Sequence, residues 1–444
     1  MSPMTNWTAG RRVCAGLAAL AAILALAAPA TAQYSPEDDF TAVWTRAQAL
    51  KVKSDPTNTK PRIPADFPVM SDEVWVWDTW PMTGLDTKPV SYRGWHVIFS
   101  LTAPRDVPFG DRHWWARIGF FFSRDGQSWQ YGGDLFPAAS PFGSREWAGS
   151  AALVGTQLNV FYTASGGDDA PPGERENPLQ RLAHASGQIH ADADGVWFTG
   201  FRNHRIILEP EGRLYQTLDQ SRAGPIIYAF RDPFVFRDPA DDQTYLVFEG
   251  NTGGTAGTHT CGPREIGPVP PGHTVPADSR FYTGNIGLAR ATSANLRRWQ
   301  LLPPLLSANC VNQQTERPHF VIENGFYYLF TISHTFTFAP GLTGPDGLYG
   351  FRGDALRSDY RPLNASALVL GNPADAPLQQ YSEYVMPNWL VESFIDTLPG
   401  EIFGGTLAPT LRIEPRGLRT FFVEELGYGY IPAMRNVGGS ADEP

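Results

Sequence analysis

Two Arg-Asp-Pro triplets stand close together in AFRDPFVFRDPADDQTYLVFEGN, which runs from Ala229 to Asn251: Arg231-Asp232-Pro233 and Arg237-Asp238-Pro239. Two further acids keep unusual company. Asp78 lies among Trp75, Trp77 and Trp80 in EVWVWDTWPMTG, and Glu316 is followed by Arg317 and His319 in QQTERPHF. A carboxylate flanked by indoles is costly unless it is paired or used. Indole faces also offer broad apolar contact to a sugar ring. Glycoside chemistry needs two carboxyl groups with opposite jobs. One stays ionised to attack or stabilise the anomeric carbon, and the other carries a proton to the leaving oxygen. Asp78 and Glu316 are the candidates for that pair, and Asp232 can hold sugar hydroxyls. The plainer alternatives are a strand-end turn for Asp78 and a surface salt bridge for Glu316. EWAGSA (Glu146–Ala151) adds Trp147 and Ser150. No Ser-His-Asp elbow, P-loop, dinucleotide glycine fingerprint or zinc-type His/Cys cluster is present.

Short apolar runs broken by turn residues must position these groups: GWHVIFSLT, WARIGFFFS, AALVGTQLNVFYTA, PFVFRDPADDQTYLVFEGN and HFVIENGFYYLFTISH. Such spacing indicates an all-β sandwich, barrel or propeller. Three segments overlay as a polar residue, a strand, a polar turn and an aromatic-rich strand, beginning at Ser150, Asp232 and Glu316. A polar residue at the mouth of a repeated hairpin is what a propeller places around its central channel. In that overlay the second Arg-Asp-Pro falls in a hairpin turn, where Asp and Pro need no functional explanation. Aromatic residues make up 13% of the chain and charged residues only 18%, with 44 Gly and 39 Pro, which excludes a helical or disordered protein. One short helix is expected near Phe40–Lys51, with Ser35-Pro36-Glu37-Asp38 at its start.

The first residues read as a secretory signal. Arg11 and Arg12 precede an apolar run from Val13 to Ala28, and Ala30-Thr31-Ala32 supplies a cleavage site before Gln33. The expected division is therefore a signal peptide over 1–32 and one catalytic domain over 33–444. Loss of the two arginines takes the net charge from −10 to −12. An acidic chain without a basic run does not suit nucleic acid, and no later stretch is apolar enough to hold the mature protein in a membrane. Cys14 leaves with the signal. Cys261 and Cys310 then form an even pair in an exported protein, which reads as one disulfide, with two free buried thiols as the alternative.

VWDTWP, EWAGSA, FRDPFVF with YLVFEGNTGG, QTERPHF and YLFTISH, in this order, resemble the levansucrase/inulosucrase family of bacterial fructosyltransferases. The resemblance implies a single-domain five-bladed β-propeller with a deep central pocket. It implies a retaining transfer of fructose from sucrose to fructan, sucrose, other sugars or water, without a cofactor. By resemblance Asp78 is the nucleophile, Glu316 the general acid/base and Asp232 the carboxylate that grips the fructosyl unit. Trp77 and Trp147 line the fructosyl site, Ser150 supports the nucleophile, and Arg231 and Arg317 contact sugar hydroxyls. Glu249 and Tyr381 position the catalytic groups. His334 stands where Gram-positive members have Arg. It resembles the Gram-negative branch, favours β-2,6 linkage and shapes the glucosyl or acceptor subsite. Gln313 replaces the Asp of a calcium site, so no metal is expected. The Cys pair fits a variant in which a disulfide braces that region. Two rivals remain: an inulosucrase or sucrose hydrolase on the same fold, and a non-catalytic sugar-binding propeller, which should have lost at least one of the three acids.

Overall fold

A computed structural model describes Asp39 to Gly439; the signal segment with Cys14, the cleavage site and Ser35–Asp38 lie outside the described residues. Five four-stranded antiparallel blades follow one another along the chain, the first two joined by parallel pairing of Met82 and Thr83 with Ala151 and Ala152. Their innermost strands are Val74–Thr83, Arg145–Val154, Phe230–Arg237, Glu316–Glu323 and Gln380–Val385, which open blades 1 to 5. Each pairs outward through three more strands; in blade 3 these are Thr244–Asn251, Gly284–Ala291 and Trp299–Ser307. Neighbouring inner strands pack side by side, and the fifth meets the first, so the sheets close into a ring. This is a five-bladed β-propeller.

Both chain ends are tied into the propeller by parallel strand pairing. Arg435–Val437 near the C-terminus pairs in parallel with Val90–Tyr92 of blade 1. Ala42–Val43 pairs in parallel with Leu306–Ser307 of blade 3. The N-terminal helix is shorter than expected. It spans only Arg46–Ala49, capped by Thr45 and Gln48. The strand pairing captures Ala42 and Val43, and the fully buried Trp44 packs against Phe338, Tyr349 and Phe351. Burial of one large indole there outweighs the few tenths of a kcal/mol per residue that helix propensity offers.

Aromatic residues fill the space between blades, as in Phe234, Phe236, Phe320 and Tyr384. Every inner strand is also interrupted by a bulge at the same level. Pairing skips between Trp77 and Trp80, Trp147 and Gly149, Arg231 and Phe234, Glu316 and His319, and Tyr381 and Tyr384. Four bulges contain a non-glycine residue in the left-handed region: Asp78 (φ 49°), Asp232 (φ 58°), Arg317 (φ 46°) and Ser382 (φ 67°). Such conformations cost about 1–3 kcal/mol each and persist where the surroundings enforce them. The blade 2 bulge has no such residue; Gly149 follows it, where a Cβ would stand 1.9 Å from the Phe161 carbonyl oxygen.

Candidate active site

The bulges build the site. Each inner strand presents one dipeptide at its interruption: Trp77-Asp78, Trp147-Ala148, Arg231-Asp232, Glu316-Arg317 and Tyr381-Ser382. A bulge bends the strand and re-aims its side chains, and all of these residues except Ser382 line one central cavity of about 460 Å³. This register corrects the overlay of strands at Ser150, Asp232 and Glu316. Asp232 is equivalent to Arg317, and Glu316 to Arg231. The shared proline after the bulge residue, Pro233 and Pro318, carries that register in the sequence.

Glu316 is held from two sides. Arg231 Nη2 donates to its Oε1 at 2.8 Å, and the Tyr381 hydroxyl donates to its Oε2. Arg231 is itself fixed by Glu249 through a 2.7 Å ion pair behind the cavity wall. Asp232 accepts the backbone N–H of Arg317 at 3.1 Å, while its own N–H donates to Thr163 Oγ1 at 2.9 Å. Arg317 ties three blades together. One Nη group donates to the Ser382 carbonyl at 2.7 Å and to the Ser382 hydroxyl, and the other donates to the Thr79 carbonyl. Its guanidinium is thus committed to protein partners beside Asp78.

Ser150 lies off the cavity. Its hydroxyl donates to the Pro233 carbonyl at 2.8 Å and accepts from Val235 N–H at 3.0 Å, so it braces the strand that carries Asp232. The second Arg-Asp-Pro is a turn: Asp238 N–H donates to the Gln243 carbonyl at 2.9 Å, closing the hairpin. Asp238 is nonetheless buried, and accepts the Tyr327 hydroxyl of blade 4.

Electrostatics follow from burial. Burial raises the Asp78 carboxyl above its usual range, opposed by Arg317, a Ser382 hydrogen bond and Arg112. Burial also raises Asp232, helped by Glu316 and Asp78 and opposed by Arg231 and Arg317. Glu249 is pushed well up by burial against the pull of Arg231. His334 is raised: burial works against its charge, but Asp346 and Glu316 outweigh it. Its Nδ1 lies 2.7 Å from Asp346, its Nε2 4.0 Å from Glu316, and its ring stacks on Tyr381 at 3.7 Å.

A family model described as Levansucrase/Invertase matches residues 33–432. The chain belongs to the levansucrase/invertase family. It is 46% identical to an extracellular sucrase from Zymomonas mobilis over 88% of this chain and 95% of that protein. It is 47% identical to levansucrase LscB from Pseudomonas savastanoi, covering 89% of this chain and 94% of that one. Among solved structures it matches levansucrase from Gluconacetobacter diazotrophicus with a TM-score of 0.83 and 42% identity, covering 91% and 95% of the two chains.

Several cavity residues of this family member escaped the sequence reading. Arg112 and His113 come from the turn Phe109–Trp114, and Asp396 from the second strand of blade 5. Arg112 Nη2 pairs with Asp396 at 3.2 Å, and Trp147 Nε1 donates to the His113 carbonyl at 3.0 Å. They lie off the inner strands, so no repeat pointed to them. Cys261 and Cys310 form a disulfide with Cα atoms 5.8 Å apart. It fastens the loop after blade 3's second strand to the segment leading into Glu316. Closing a loop of this length removes about 4 kcal/mol of unfolded-state freedom in the chain-entropy model. The described residues hold no cluster of three or more His, Cys, Asp or Glu able to bind a metal.

Proposed function

We propose that the protein is a secreted, sucrose-dependent fructosyltransferase of the levansucrase type, acting by double displacement. The observation that carries this reading is the ring of bulged dipeptides, which sets Asp78, Asp232 and Glu316 around one cavity. Asp78 attacks the anomeric carbon of the fructosyl unit. Glu316 gives its proton to the bridging oxygen, and glucose leaves. Glu316 then takes the proton of an acceptor hydroxyl, whose oxygen attacks the same carbon and frees Asp78. Two inversions give retention.

Each neighbour has a task in this scheme. Asp232 grips fructosyl hydroxyls and favours the positive charge that develops at the anomeric carbon. Trp77 and Trp147 offer apolar faces to the ring. Arg231, locked by Glu249, and Tyr381 hold Glu316 at one point, which limits the orientational freedom lost at each turnover. Arg317 acts mainly as a staple that supports Asp78 by charge. His334 sits on the leaving-group side, beside Glu316. Acceptors are fructan, sucrose, other sugars or water. Relatives named levansucrase favour β-2,6 transfer. An inulosucrase from Halalkalicoccus jeotgali bound to kestose (42% identical) and a β-fructofuranosidase from Microbacterium saccharophilum (38% identical) keep β-2,1 transfer and hydrolysis as the alternatives to test. Residues 1–32 act as the export signal, in keeping with the relative named as an extracellular sucrase.

The deciding experiment is incubation with sucrose while glucose and fructose are measured separately. Glucose in excess over fructose, with polymer, supports transfer, and equimolar release supports hydrolysis. Folded protein that releases neither sugar rules out both enzymatic readings. NMR of the polymer assigns the linkage.

A further inference from the structure

Phe336 is 65% exposed, more than any other large hydrophobic residue among those described, and it lines the cavity mouth. Its ring is not loose. It stacks on His334 at 5.1 Å and 19°, and His334 in turn stacks on Tyr381 at 3.7 Å and 17°. The three rings form a column running outward from Glu316, whose Oε2 accepts the Tyr381 hydroxyl.

The turn that carries Phe336 is braced. The buried Asp346 accepts the Thr335 N–H at 2.6 Å and holds His334 Nδ1 at 2.7 Å. Thr337 Oγ1 donates to the His334 carbonyl at 2.8 Å, and Gln313 N–H donates to the Thr337 carbonyl at 2.9 Å. An aromatic ring held on one face over a rigid turn leaves its other face to solvent. A sugar presents an apolar face of C–H groups edged by hydroxyls, and an aromatic plane with little rotamer freedom to lose suits it.

We infer that Phe336 is a specificity-determining residue, the platform for an acceptor sugar one unit beyond the glycosyl group that contacts His334. The inference rests on the fructosyltransferase reading. In that reading His334 adjoins the bond being cut, so the next ring along the column meets a saccharide unit that only a longer acceptor has. Such contact lets an oligosaccharide outcompete water for the fructosyl-enzyme, since water has no counterpart at this position.

The test uses the mature enzyme with sucrose, with and without added kestose as acceptor. Glucose reports total turnover and free fructose reports hydrolysis. Phe336→Ala should raise the apparent KM for kestose as acceptor by about two- to tenfold, the range expected for loss of one aromatic stacking contact. The ratio of free fructose to glucose should move toward one, and Phe336→Trp should restore it. Trp197→Ala removes another exposed ring, stacked on His190 at 5.5 Å on the outer strand of blade 2, and should leave the ratio unchanged. Normal glucose release with an unaltered acceptor KM and product ratio in Phe336→Ala overturns the platform alone. Absence of glucose release from the unaltered enzyme overturns the fructosyltransferase reading, and the platform with it.

Discussion

Replacing Glu316 by Gln removes the transferable proton and keeps the shape. In the native site Oε1 receives Arg231 at 2.8 Å, and Oε2 receives the Tyr381 hydroxyl. The amide retains one acceptor oxygen, and Arg231 keeps its 2.7 Å pair with Glu249, so no buried charge is orphaned. The fold and sucrose binding should therefore survive. The loss falls on the chemical step. A positioned general acid contributes about 10²–10⁴-fold, or roughly 2.7–5.5 kcal/mol of transition-state stabilisation at 1.36 kcal/mol per decade. Glucose release from sucrose should fall by that factor, with KM changed only a few-fold. Fructosyl fluoride sharpens the assay, because fluoride departs without general-acid help. The first-turnover burst of fluoride from the Gln variant should approach that of the native enzyme. An equal loss on both donors, or retained turnover of sucrose, would refute the assignment.

Three other substitutions separate chemistry from support. Asp238→Ala should retain sucrose turnover per folded molecule and lower the denaturation midpoint, because Tyr327 loses its buried acceptor at a cost of about 1–3 kcal/mol; a kinetic collapse in folded protein would return Asp238 to the site. Asp78→Asn should abolish turnover yet stabilise the fold at neutral pH. Burial raises the Asp78 carboxyl in the folded state, so stability is lost as pH rises through its folded value, and an amide has no such loss; thermal melts at neutral and acid pH should show the gain fading in acid, and a destabilised variant at neutral pH contradicts the argument. Glu392 is buried with neither carboxyl oxygen hydrogen-bonded, and burial holds it well above the carboxylate range. Glu392→Gln should raise stability at neutral pH and have little effect in acid, because the unfolded carboxyl ionises at its ordinary pH while burial keeps the folded one protonated; a variant whose stability follows pH as the native protein's does would show that Glu392 is not perturbed in this way.

The strand pattern in segments such as FVIENGFYYLF was strong because alternation and turn residues are local. The same locality assigned Asp238 to its hairpin. It missed that Asp238 is buried, since its partner Tyr327 belongs to the next blade. The helix failed at its N-terminal side, where pairing with blade 3 and burial of Trp44 overrode propensity. Ser150 stood close enough to the strand start to look like a site residue, but one residue of bulge turns it toward Pro233 and Val235.

By itself the sequence determined the all-β architecture, the carboxylates worth attention and the pairing of Cys261 with Cys310, because each is a matter of residue type, count and short spacing. Ring closure alone decided which atoms meet. Asp78, Asp232, Glu316 and Tyr381 come from four different blades, and their approach depends on strand twist and on bulges that hold non-glycine residues at positive φ. That strain has no local signature. It is sustained by contacts between blades far apart in the chain, such as the links from Arg317 to Thr79 and Ser382, and these exist only once the propeller has closed.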